Sequence, residues 1–149
     1  MTVKELLITV YREVGVLESL ERQRAMLFED NTGLKAIRYD SDKVSGGRQT
    51  DLSVVIEQIE QKQAKIEELI SRQKERVTNH RLTAYIALEG VEDSRWKSAM
   101  QEHYLYGVPW SKVADNMDYD KDWVRKRVYA TIKELDQTHP VSPTQKVVK

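Results

Sequence analysis

The sequence predicts an all-α protein. Glycine and proline are sparse, 6 and 3 in 149 residues, so few positions force the chain out of a helix. Alternation of the strand kind is nearly absent. Three stretches instead place apolar residues three and four apart, the spacing that lines one face of a helix.

The first stretch is residues 3–28. Leu6, Leu7, Val10, Val14, Leu17, Leu20 and Leu27 form its apolar face. Gly15 interrupts it at a cost of about 1 kcal/mol relative to alanine. The second stretch starts after Thr50-Asp51, either of which can cap a helix. From there Leu52, Ile56, Ile59, Gln63, Ile66, Ile70, Gln73, Val77 and His80 alternate by four and three, a sustained heptad seam over 51–80. The seam packs either against the first helix as an antiparallel hairpin or against a second chain as a homo-oligomeric coiled coil. Gln63, Gln73 and His80 lie on it, either setting its register or standing half-exposed beside an imperfect contact.

Between these helices, residues 30–50 read as a long connector, an unusual length without regular structure. Ser45-Gly46-Gly47 marks a turn in it. Lys35, Arg38, Lys43 and Arg48 outnumber Asp40 and Asp42, which makes it locally basic. After the seam the helix continues toward Leu88, with a possible single break near Thr78-Asn79. Gly90 is expected as its C-terminal cap. The domain boundary therefore falls at 89/90: a helical hairpin or coiled coil over 1–89, a second module over 90–135, and a flexible tail over 136–149 that contains Pro140 and Pro143.

The second module reads as three helices. The first covers 93–105 and a turn follows at 106–109, where Gly107 can take a positive φ and Pro109 cannot continue a helix. The second covers 110–117. Asp118 and Tyr119 turn the chain, and Asp120 caps the third helix. A short helix, a tight turn and a longer helix follow the helix-turn-helix plan. On the third helix Val124, Val128, Ile132 and Leu135 form a core stripe. Lys121, Asp122, Arg125, Lys126 and Tyr129 fall largely off it, with Lys112 on the helix before. Such groups near the start of a recognition helix suit phosphates and base edges in a DNA major groove, with Lys121, Asp122, Arg125 and Lys126 nearest the bases and Lys112 and Tyr129 nearest the backbone. The bland alternative is a solvated cationic face.

Three runs carry a resemblance. The segment DSRWKSAM at 93–100 leads into YLYGVPWSKVA at 104–114, and YDKDWV follows at 119–124. This looks like the region-four helix-turn-helix of bacterial sigma factors. More closely it resembles the small late-gene regulators of phages and prophages of Gram-positive bacteria, the ArpU and RinA type. The run YDSDKVSGG at 39–47, followed by Asp51, is similar to a segment ahead of the helix-turn-helix in that family. The resemblance implies activation of phage late genes in the bacterial cytoplasm, together with host RNA polymerase. Arg127 stands where the sigma pattern tends to be apolar, which leaves the rotation of the third helix open.

Lys plus Arg and Asp plus Glu are both 24, so any nucleic-acid surface must be a local face rather than a bulk polyelectrolyte. No cysteine is present, which excludes disulfide and thiolate chemistry. Glu5, Arg12 and Glu13 break any signal-peptide core, and no segment is apolar enough to span a membrane. Asp118, Asp120 and Asp122 have the opening spacing of a calcium loop. Trp123 and Tyr129, however, occupy positions where glycine and glutamate are required. His80, His103 and His139 show no zinc spacing. No enzyme, metal or cofactor is expected. Of the three tryptophans, Trp110 is expected to anchor the second helix of the module, and Trp123 to pack at the rim or aim its indole N–H at phosphate.

The expected function is sequence-specific binding of double-stranded DNA in transcription control. The rivals are a DNA-packaging protein of the small-terminase kind, a coiled-coil interaction protein that binds no DNA, and a sigma-like factor that binds RNA polymerase directly.

Overall fold

The computed structural model describes residues 1–42 and 49–138, which are all-α with no strand among them. Five helices follow one another: α1 (Val3–Asp42), α2 (Gln49–Ala87), α3 (Ser94–Met100), α4 (Trp110–Met117) and α5 (Lys121–Thr138). A 3-10 turn, Leu88–Gly90, ends α2, and a π-helical turn, Gln101–Leu105, extends α3. The expected turn at 45–47 and the prolines at 140 and 143 lie outside the described residues.

The long helices run further than the sequence reading allowed. Residues 30–42 are helical rather than part of an irregular connector. The weak helix formers Asn31, Thr32 and Gly33 do not end α1. A single interior glycine costs only about 1 kcal/mol, and the three-and-four spacing continues through it at Leu27, Asn31, Leu34 and Arg38. At its start α2 takes in Thr50 and Asp51 instead of being capped by them, and it passes Thr78 and Asn79 without a break. Gly90 is not a left-handed cap, because Gly107 is the glycine with positive φ among the described residues. The 3-10 turn closes instead by a bond from Val91 N–H to the Leu88 carbonyl, 3.0 Å.

The chain divides into two compact units, Met1–Gly15 with Glu75–Lys149, and Val16–Lys74. The first turns of α1 and the last turns of α2 belong with α3, α4 and α5.

In the first unit, Val3, Leu6, Leu7, Val10 and Val14 of α1 are buried, as are Val77 and Ala84 of α2 and Leu88 after it. Trp96, Met100, Leu105, Val113, Val124, Val128, Ile132 and Leu135 complete the core. The start of α1 is capped twice. Thr2 and Glu5 form a reciprocal capping box, Glu5 N–H donating to Thr2 Oγ1 at 3.0 Å and Thr2 N–H to Glu5 Oε2 at 3.2 Å. Asp136 of α5 accepts from Val3 N–H at 2.5 Å and Lys4 N–H at 3.4 Å, a carboxylate at the positive end of a helix dipole. Asp136 is thus part of a helix and a tertiary cap, not the first residue of a tail. His80 Nδ1 meets Glu13 Oε1 at 2.6 Å, so this polar seam residue pairs α2 with α1.

In the second unit α1 and α2 run in opposite senses. Arg24 pairs with Glu67 at 3.0 Å, and Lys35 with Glu60 at 3.1 Å, the partner number falling as the first rises. Between them Asn31 Nδ2 donates to Gln63 Oε1 at 3.1 Å. The polar seam residue Gln63 therefore forms a buried layer with Asn31, which sets register by the penalty any slip would incur. Ile56 and Ile70 are the buried apolar residues described in this unit, Gln73 is buried as well, and Leu52, Ile59, Gln63 and Ile66 of the seam are half-buried.

Candidate nucleic-acid interface

Each boundary from α3 to α5 has a local cause. Asp93 caps α3, its carboxylate accepting from Arg95 N–H at 2.9 Å. The Arg95 guanidinium returns to the same carboxylate at 2.9 and 3.2 Å and holds it below the usual carboxylate range. The π-helical turn leaves the Leu105 carbonyl to accept from Arg81 Nε at 2.9 Å, tying α2 to the end of α3. Gly107, at φ 74°, lets Gly107 N–H reach the His103 carbonyl and Val108 N–H the Glu102 carbonyl, both at 3.1 Å. Pro109, extended at ψ 147°, then starts α4.

The turn from α4 to α5 is a Schellman motif. Tyr119 N–H bonds the Ala114 carbonyl at 3.0 Å, and Asp118 N–H the Asp115 carbonyl at 3.2 Å. Asp118 sits at φ 60°, the left-handed conformation that glycine usually supplies. Asp120 Oδ2 accepts from Asp122 N–H at 3.1 Å and Trp123 N–H at 3.2 Å and so caps α5. That use accounts for the acidic spacing at 118–122, and no three metal-ligating side chains converge among the described residues.

Two aromatic clusters hold the three helices. Trp96 of α3 is buried, with Tyr119 stacked at 6.0 Å and Trp123 edge-on at 5.4 Å. Trp123, 44 % exposed, is therefore a rim residue packed over α3. The Arg127 guanidinium lies 5.7 Å from the Trp96 ring, which explains a cation at that position: it covers an indole face. In the second cluster Trp110 stacks on His103 at 3.8 Å and meets Tyr104 edge-on at 5.8 Å, so it anchors α4 to the end of α3. Burial lowers the His103 pKa, against the opposing hydrogen bond that its Nδ1 donates to the Val108 carbonyl at 2.8 Å, and nearby Arg125 lowers it further. Burial also pushes the Tyr104 hydroxyl up to about 12.

With Val124, Val128, Ile132 and Leu135 buried, the rotation of α5 is defined. At about 100° per residue, Asp122, Lys126 and Tyr129 share the face opposite that stripe. All three are exposed, as are Lys121 in the first turn of α5 and Lys112 on α4. Arg125 differs. It is half-buried on the flank, its guanidinium 6.0 Å from the Tyr129 ring, and its Nε is buried without a hydrogen-bond partner. Its pKa is raised, first by its hydrogen bond to Tyr129. Lys133 lies one heptad after Lys126 and is exposed on the same face. It was not among the sequence-derived contact residues, although counting seven from Lys126 would have found it.

Compared with family models, with curated proteins and with solved structures, the chain matches none of them.

Proposed function

We propose that the protein binds duplex DNA in a sequence-specific manner and regulates transcription. In this reading α4, the Schellman turn and α5 act as a helix-turn-helix, with α3 as its supporting helix and the paired α1 and α2 as a hairpin that carries it. The observation that carries the proposal is the outward face of α5. Asp122, Lys126, Tyr129 and Lys133 recur there at helical spacing, with Lys121 and Lys112 exposed nearby and a left-handed turn immediately before the helix. Lys126 and Asp122 address base edges, and Lys112, Lys121 and Lys133 address phosphate. Arg125, held against Tyr129, orients that ring and meets the backbone at the flank. The resemblance of the 93–124 runs adds a place for this activity: activation of phage late genes in a bacterial host, acting with RNA polymerase.

The test is retention of fragmented genomic DNA by the purified protein at two salt concentrations, followed by sequencing. A specific regulator enriches one short site that persists at the higher salt. Lys126→Ala then weakens that site by about 1–3 kcal/mol and relaxes one base position, whereas Lys112→Ala weakens all sequences alike. Retention that fades evenly with salt, or an unchanged affinity of Lys126→Ala, contradicts the proposal.

A second reading has one observation in its favour. On the second unit Met26, Phe28, Ile37 and Tyr39 are more than half exposed. Large apolar side chains left exposed on a paired helix suit a protein partner, so this unit supports a coiled-coil interaction role. Failure to retain any duplex at low salt would select it.

A further inference from the structure

Beside the outward face of α5 the first unit contains a cavity of about 780 Å³. That volume lies within the range of small-molecule sites. Ile8 and Tyr11 of α1, Tyr104 of the π-helical turn, Trp110 of α4, and Tyr129 and Ile132 of α5 line it. The walls are braced. His103 is clamped between the Tyr11 ring at 4.8 Å and the Trp110 ring at 3.8 Å, with Tyr104 edge-on at 4.8 Å. These aromatic faces are therefore fixed before anything binds, which removes an ordering cost.

The charge at the rim has a sign. Lys4 and Lys133 line the cavity, and neither forms an ion pair among the described residues. Asp136 also lines it, but its two oxygens are already engaged by the backbone N–H groups of Val3 and Lys4. Two ammonium groups against one hydrogen-bonded carboxylate leave the rim net cationic. Flat aromatic walls suit a planar ring, and two ammonium groups at the mouth suit a carboxylate. The geometry points to a binding site for a small aromatic carboxylate in this cavity.

Occupancy has a consequence for the face above it. Tyr129 both lines the cavity and stands on the outward stripe of α5, and the Arg125 guanidinium lies over its ring. A ligand ring seated against Tyr129 fixes that pair and so alters the surface offered to DNA. This regulatory consequence rests on the DNA-binding reading; the ligand site itself does not.

Isothermal titration of the full chain with 2-naphthoate, and with neutral 2-naphthol as control, tests the site. One molecule binds per chain, naphthoate about tenfold tighter than naphthol. The double variant Lys4→Gln, Lys133→Gln erases that preference. Ile8→Trp fills the cavity and weakens both probes by at least about tenfold. If Ile8→Trp does not fold by circular dichroism, the lysine variant decides alone. Heat that does not saturate, or a preference that survives loss of both lysines, overturns the proposal. So does a doubled mass in sedimentation with the probe excluded, which would assign the cavity to a contact between two copies. Duplex retention is then measured with and without naphthoate, and a change of at least about fivefold supports regulation. Bound probe with unchanged retention overturns the regulatory consequence and leaves the DNA reading intact. Probe binding by a chain that retains no duplex overturns the DNA reading and leaves the site intact.

Discussion

Val10, Val77 and Leu88 in the first unit are at most 1 % exposed, whereas Leu27, Leu34, Ile59 and Ile66 in the second are half-buried. Both groups lie on the same two helices, or in the turn that ends α2, and follow the same three-and-four spacing. The difference lies in the number of neighbours. Where α1 and α2 meet three further helices, each apolar stripe is covered on several sides. Where they meet only each other in the described structure, Ile56 and Ile70 are still buried, but Leu27, Leu34, Ile59 and Ile66 are covered by one partner helix and open at the flank. Periodicity therefore reports which face turns inward, and the count of packing partners sets how far burial proceeds.

The polar residues follow the same contrast. His103 in the first unit is buried between two aromatic rings and held by a backbone carbonyl. In the second unit Asn31 is buried against Gln63, with its own Oδ1 left without a hydrogen-bond partner. A polar layer that is half satisfied stabilises little and chiefly selects one register.

The largest test of the comparison is a pair of truncations. Leu105→Ala, at a position with no exposure, is expected to lower stability by about 2–5 kcal/mol in urea unfolding followed by circular dichroism. Ile66→Ala, at a half-buried seam position, is expected to cost about 1 kcal/mol, because less area returns to water. Equal losses would mean that the second unit is packed as deeply as the first, with another chain supplying the cover.

Glycine substitutions sharpen the comparison from the backbone side. A Cβ added at Gly15 or Gly33 meets nothing within 4 Å. Gly15→Ala in the first unit and Gly33→Ala in the second should each stabilise by about 0.5–1 kcal/mol, seen as a higher melting temperature. A gain at Gly15 with none at Gly33 would show that α1 is not persistently helical beyond the first unit.

The smallest effect is pH-dependent and belongs to the first unit. His103 has a pKa below its ordinary 6.5, so the unfolded chain takes up its proton first. Its contribution is complete above 6.5 and is lost as pH falls through the lower folded value. The hydrogen bond to Val108 opposes burial, which keeps the net effect small. Melting of His103→Gln across this range should show a shallower acid slope than the wild type; identical slopes would assign the acid sensitivity elsewhere.

Much of this was legible in the chain itself. Helical class followed from spacing and from scarce glycine and proline. The starts of α4 and α5 and the end of α4 followed from Pro109, Asp120 and the turn at Asp118-Tyr119, because caps and breakers act through neighbouring backbone groups. The capping box Thr2-Val3-Lys4-Glu5 and the continued heptad through Leu34 and Arg38 were equally present, but residues 30–50 read together as one connector. Other features depend on groups far apart in sequence. The bond from Asp136 to the start of α1 joins residues 133 positions apart, and no local preference encodes it. Tyr11, His103 and Trp110 become one aromatic stack only when α1, the π-helical turn and α4 converge. Spacing determined the helices and their inward faces, since those depend on a few adjacent residues. The tertiary structure decided the depth of burial, the division into units and the walls of the cavity, because each requires side chains that only packing brings together.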